Sequence, residues 1–259
     1  MKKLGFIASF LALIFLLATG CTSTKKTNDD LKKNDKPVVV EEKKTPLQVI
    51  KETEKVLPTI KAYKFTRSTL EKGNGQTYNN IETGVEQLNP EVAHFTNSRN
   101  TEYYYDKQNI YMKKDGQWTR QTNTDGKVLV SVLFTNNIDF LIKNLGTKEE
   151  VPGVTVTKNG DEYVVSIDYL IFKDPTMTDA EYAQAKAETI KRKTELTIDA
   201  NTFEPKKYTF NYESKAGSLR SVELDLSTYT SPIVIPSEVV QSATQAPAQN
   251  QTQSTTPST

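Results

Sequence analysis

Apolar and polar side chains alternate with a period of two through much of the middle of the chain. Tyr63 and Phe65 face one way, against Lys64 and Thr66, and Val154 and Val156 oppose Thr155 and Thr157. Tyr163, Val165, Ile167 and Tyr169 oppose Ser166 and Asp168, while Leu196 and Ile198 oppose Glu195, Thr197 and Asp199. Tyr208, Phe210 and Tyr212 stand against Lys207, Thr209 and Asn211, and Val222, Leu224 and Leu226 against Ser221, Glu223 and Asp225. This period predicts strands with one apolar and one wet face, the signature of an antiparallel sheet covered on one side. The pairs Asn74-Gly75, Asp115-Gly116, Asn159-Gly160 and Ala216-Gly217 punctuate the pattern as tight hairpin turns. About eleven strands follow, with no internal repeat.

Helical spacing replaces the alternation in three places. Thr45-Pro46-Leu47-Gln48 combines an N-cap threonine, a proline at the first helical position and a glutamine at the third; Leu47, Ile50 and Leu57 follow on one face, and Pro58 suits the end of the helix. In the stretch 128–145, Ile138, Leu141, Ile142 and Leu145 keep helical spacing before Gly146, whereas residues 128–134 read equally as a buried strand or as helix. Thr178-Asp179-Ala180-Glu181 is a second capping box, with Ala180, Ala183, Ala187 and Ile190 on one face and Lys191-Arg192-Lys193 as its basic end. That helix, over 179–192, is expected to cover Leu170-Ile171-Phe172, which is apolar on both faces.

The two ends differ from this middle. Lys2 and Lys3 precede an apolar run over residues 4–18, too short for a transmembrane helix, which needs about 20 residues. The order of basic start, apolar run and small residues predicts a signal peptide over 1–20. Residues 22–45 hold seven lysines and five acids among twenty-four positions, a composition that predicts a disordered charged tether with a reach of about 25–30 Å. Residues 241–259 carry no charge and eight Ser or Thr, which predicts a disordered tail. One domain, 46–240, remains between them and is large enough for a single core.

With 33 basic and 32 acidic residues, the chain offers no electrostatic case for nucleic acid. One cysteine and one histidine exclude a disulfide scaffold, a zinc cluster and thiol–imidazole catalysis. His94 stands alone and reads as a strand residue. Asn123-Thr124-Asp125-Gly126 fails as a calcium loop, because its twelfth position is Val132 where a bidentate glutamate is required. Gly73-Asn74-Gly75 lacks the third glycine and the helix of a dinucleotide loop, and no nucleophile elbow or phosphate loop occurs. The chain is therefore expected not to be an enzyme, and no cofactor or metal is expected.

Two resemblances complete the picture. Ala18-Thr19-Gly20-Cys21 resembles a bacterial lipobox, which implies a thioether-linked diacylglycerol on Cys21, cleavage just before it, and anchoring at the extracytoplasmic face of the cell membrane. Acyl chains of this kind contribute about 0.8 kcal/mol per buried CH₂, and two suffice for stable attachment. A tyrosine-rich stretch, Glu102 to Asp106, leads through Asn109-Ile110-Tyr111-Met112 to Asp115-Gly116-Gln117-Trp118. Leu196 to Asp199 runs through Thr202-Phe203-Glu204-Pro205 to Tyr208, and Tyr229 to Pro236 forms a final extended segment. Together with the order of helix, strands and internal helices, these stretches resemble the LolA-like group of lipoproteins, including the LppX and LprG type and a Gram-positive branch.

The resemblance implies an α+β, mainly antiparallel fold: an unclosed half-barrel with helices on its concave face, taking a lipid or other apolar ligand. Phe65, Tyr103, Tyr105, Trp118, Val165, Ile167, Phe210 and Leu224 are the candidate lining residues. Such a protein would be a carrier or sensor without covalent chemistry. The alternative is an envelope interaction protein whose concavity is filled by its own helices, with a protein as partner.

Overall fold

A computed structural model describes residues 43–123 and 129–245. The signal peptide, Cys21, the tether up to residue 42, the glycine end of the rejected calcium loop and the tail from 246 lie outside the described residues.

The chain opens with α1 (Pro46–Val56), which a short 3-10 turn (Leu57–Thr59) extends. Thr45 caps it as expected: its hydroxyl accepts the Gln48 N–H at 3.3 Å, and the Gln48 side chain accepts the Thr45 N–H at 2.8 Å. Six strands follow: β1 (Ala62–Gly73), β2 (Gln76–Leu88), β3 (Glu91–Asn97), β4 (Glu102–Asp106), β5 (Asn109–Lys114) and β6 (Gln117–Thr122). After α2 (Val132–Leu145) come β7 (Val154–Asn159) and β8 (Glu162–Asp168), then α3 (Asp179–Glu188). The chain continues through β9 (Thr189–Asp199), β10 (Pro205–Ser214), β11 (Leu219–Thr228), α4 (Ser237–Ser242) and the two-residue β12 (Thr244–Gln245).

All twelve strands form one sheet in the order β12-β6-β5-β4-β3-β2-β1-β11-β10-β9-β8-β7. Its two ends do not meet. Every pairing is antiparallel except the short parallel contact of β12 with β6. The expected fold class, an open, mainly antiparallel half-barrel with helices on its concave face, is the one observed. The turns behave as their residues dictate: Asn74 and Gly75, and likewise Asp115 and Gly116, all take positive φ, as two-residue hairpin loops require.

The core lies between the concave face and the first two helices. Leu47, Val49 and Ile50 of α1 and Phe134, Ile138, Leu141 and Leu145 of α2 join Phe65, Val165, Ile167, Leu196, Ile198 and Leu224 of the sheet. In the stretch that admitted two readings, Leu129 to Ser131 form a turn and helix begins at Val132.

Three expectations are corrected. The helix over 179–192 stops at Glu188, and Thr189 to Lys193 belong to β9, where Lys191 pairs with Glu213 and Arg192 with Tyr212 of β10. Cross-strand pairing outweighs the helical spacing of the alanines, and α3 buries no residue, with Ile190 left 53% exposed. Leu170-Ile171-Phe172 is a turn that α3 covers only in part: the Tyr182 hydroxyl donates to the Leu170 carbonyl at 2.8 Å, whereas Phe172 is buried against α2 through Phe140, at 5.8 Å between ring centroids, and Ile171 is exposed. Finally, α4 and β12 continue the fold to Gln245, five residues past the expected boundary of the domain at 240.

Candidate functional site

Strand register sorts the candidate lining residues. Directly paired residues share a face, so each cross-strand row can be followed over the sheet. One row runs Leu226, Phe65, Gly84, Phe95, Tyr103, Met112, Thr119. A parallel row joins Leu224, Tyr208, Leu196, Val165 and Val156. Another brings Val222, Phe210, Thr194, Ile167 and Val154 together. Tyr105 lies on the same face, in a row with Glu86 and Ala93. Seven of the eight candidates therefore share the helix-covered face. Trp118 pairs with Lys113 and projects from the convex face, because β6 offers Thr119 to the concave row instead.

The concave face has two halves of different character. Over β1 and β7 to β11, α1 and α2 close it: Phe65, Val165, Ile167 and Leu224 are no more than 2% exposed. Tyr105 is wholly buried, and its hydroxyl accepts from the Asn123 side chain at 3.2 Å. Over β3 to β5 the apolar surface continues, and Phe95, Tyr103 and Met112 are only half-buried. Their rings extend the core outward: Phe65 and Phe95 lie 6.1 Å apart, and Phe95 stacks on Tyr103 at 4.8 Å. Gly84 makes this approach feasible, because a Cβ there would stand 2.2 Å from the His94 carbonyl and 2.4 Å from the Phe95 Cβ.

Two polar anchors fix α2 over the floor. Glu86, 1% exposed, accepts the N–H groups of Val130 and Ser131 at 2.7 and 2.8 Å, at the N-terminal end of the helix. Burial nevertheless pushes its carboxyl above the ordinary glutamate range, against the pull of Ser131, Val130 and Arg67. Further along, the Asn137 side chain of α2 lies beside Tyr208, and burial raises the Tyr208 and Tyr169 phenols against the pull of Asn137 and Thr194. Sequence periodicity carried no sign of Glu86: a glutamate on the apolar side of an alternating strand reads as an error of pattern until the helix it caps is seen.

On the convex face, His94 stacks on Tyr104 at 4.1 Å and accepts or donates to Glu102 at 3.0 Å. Trp118 lies 5.6 Å from Tyr104, with the Lys113 ammonium 5.4 Å from the indole centroid. The segment after β11 crosses this side, with the Ile233 N–H reaching the Gln87 side chain at 3.4 Å and α4 lying against β6. Among the described residues, no group of three or more His, Cys, Asp or Glu side chains could hold a metal, and no helix is long and apolar enough to cross a membrane.

The fold is an open, mainly antiparallel half-barrel with helices on its concave face. No family model and no curated protein matches the chain. Among solved structures it is similar to the lipoprotein LppX of Mycobacterium tuberculosis, at 12% identity over 73% of this chain and 97% of that one, with a TM-score of 0.40. It is similar to LprF of Mycobacterium bovis at 11% identity over 73% and 95%, with a TM-score of 0.38. A LolA superfamily protein of Nitrosomonas europaea follows at 8% identity over 73% and 95%, with a TM-score of 0.30. The structural neighbours are those the sequence resemblance pointed to.

Proposed function

We propose that the chain is an extracytoplasmic lipoprotein, anchored through a diacylglycerol on Cys21, that binds a lipid or other apolar ligand on the concave face of its half-barrel. It acts as a carrier or sensor and performs no covalent chemistry. One observation carries this reading: the apolar row Phe65, Phe95, Tyr103 and Met112 leaves the closed core and continues onto residues of the concave face that are only half-buried. A stripe of this kind is unfavourable in water, at about 25 cal/mol per Å² of apolar surface, and an acyl chain laid along it would remove that cost. The test is native mass spectrometry of residues 43–245 purified without detergent, with lipid analysis of its extract. A defined apolar passenger near one per chain supports the reading; an empty, folded domain overturns it.

A second reading has its own observation. Val165, Ile167 and Leu224 have no exposed surface, because α1 and α2 already fill that half of the concavity. If the domain is empty, the function passes to the convex face and an envelope protein partner. Crosslinking in membranes would then capture one stoichiometric protein.

A further inference from the structure

The far rim of the concave face has a different chemistry from its floor. Glu71 of β1, Arg220 of β11, Tyr212 of β10 and Arg192 of β9 are paired in one cross-strand row. Two residues deeper on β11, β10 and β9 stand Val222, Phe210 and Thr194, and two deeper again Leu224, Tyr208 and Leu196. The face thus changes from cationic and aromatic to fully apolar within four residues, about 13 Å of strand. A cavity of about 430 Å³ opens at this rim, lined by Arg192, Arg220, Lys72, Phe210 and Tyr212 among others.

Its charge is not neutralised from within. Arg220 donates from Nε to Glu71 at 2.9 Å, in an exposed pair of the kind that contributes little. Arg192 lies with its guanidinium 4.8 Å from the Tyr169 centroid, which orients the fork without satisfying it. Among the described residues neither Arg192 nor Lys72 has a carboxylate within ion-pair distance. Three cations and one acid therefore surround an opening whose back wall is aromatic.

We propose that this rim is a headgroup site for an anionic amphiphile, one carrying a phosphate monoester or a free carboxylate at the end of a long apolar chain. The proposal rests on the concave face being the ligand site, and adds which class of lipid it selects. Arg192 and Arg220 would grip the anion through planar, charge-assisted hydrogen bonds. The first part of the chain would lie along Phe210 and Tyr212 at the opening, since the rows beyond, with Leu224, Tyr208 and Leu196, are already closed by the helices.

The test titrates the full-length protein, in a non-ionic detergent at fixed mole fraction, with a fluorescent long-chain alkyl phosphate and separately with the matching alcohol. The wild type is expected to bind the phosphate about tenfold or more tightly than the Arg192→Gln/Arg220→Gln double variant does, with equal affinity of both proteins for the alcohol. Binding of the alcohol also reports that the variant is folded. The Arg192→Lys/Arg220→Lys variant should recover only part of the preference, because the charge remains but the planar fork does not. Equal affinities of wild type and double variant for the phosphate overturn the headgroup site and leave the apolar-ligand reading standing. Failure of the wild type to bind either probe overturns both. Displacement of the alkyl phosphate by inorganic phosphate at matching concentration would mark a free-anion site and overturn the amphiphile assignment.

Discussion

At the scale of single residues, the two least replaceable positions are a glycine and a glutamate in β2. Gly84 sits where backbone and Phe95 leave no room for a Cβ, so Gly84→Ala forces β2 and β3 apart. The expected loss is about 2 kcal/mol or more, read as a lower urea midpoint at unchanged slope. Glu86 makes a prediction with a defined sign. Its folded pKa stands above its unfolded one, so the native state binds the proton more tightly than the unfolded chain. The stability linked to that proton is fully present below the ordinary glutamate value and is lost as pH rises through the folded value. Relative to Glu86→Gln, the wild type should therefore lose stability with rising pH in that window. Asp199 has the opposite sign: bonds from the Thr202 N–H, Lys206 and the Asn201 N–H hold its carboxyl down to about 2. Its contribution is present above the ordinary aspartate value and lost as pH falls towards 2, and Asp199→Asn should remove that acid-range decline. Urea titrations across both windows would separate the two, and parallel curves for wild type and variants would refute the assignments.

At the scale of elements, what was legible in the sequence was whatever local chemistry decides. The capping boxes at Thr45 and Thr178 form with both reciprocal bonds, since an N-cap hydroxyl and a third-position side chain need only each other. The hairpins were equally plain, because alternation and turn residues agree. Elements that depend on distant partners were not legible. Ile190 to Lys193 extend the helical pattern in sequence, yet pairing with β10 draws them into β9. Only two valines in a polar stretch announce α4, and just one, Val239, is buried. The helix α3 shows the same division energetically: it is capped well but buries nothing. Thr178→Ala should cost the helix about 1 kcal/mol locally, seen as faster amide exchange over 179–188, while the global unfolding midpoint stays in place. A matching drop in global stability would mean that α3 packs more firmly than its exposure indicates.

At the scale of the whole molecule, the proposed function gives one face two tasks, and substitutions should tell them apart. Alternation alone could place seven candidates on one face, but it could not say which of them lie under a helix, because α2 is remote in sequence from the strands it covers. It also set Trp118 among them, an aromatic that the register of β6 turns outward. The proposed attachment through Cys21 is separable from binding: Cys21→Ser should move the protein from the membrane fraction to the soluble one and leave ligand binding intact, as fractionation and lipid analysis of the same preparation would show. Within the domain, Val165 and Tyr103 are the decisive pair. Val165 has no exposed surface and sits beneath the helices, so Val165→Asp buries an unpaired carboxylate and should cost several kcal/mol, enough to unfold a domain of ordinary stability. Tyr103 lies on the same face but is only half-buried. Tyr103→Asp keeps its new charge within reach of water, so the domain should fold with a modest loss while any co-purifying lipid disappears. Circular dichroism and lipid analysis on the same samples decide the matter. Loss of lipid with the fold retained at Tyr103 would place the ligand on the open stripe; retention of lipid would move it under α2, where the helix itself would have to give way.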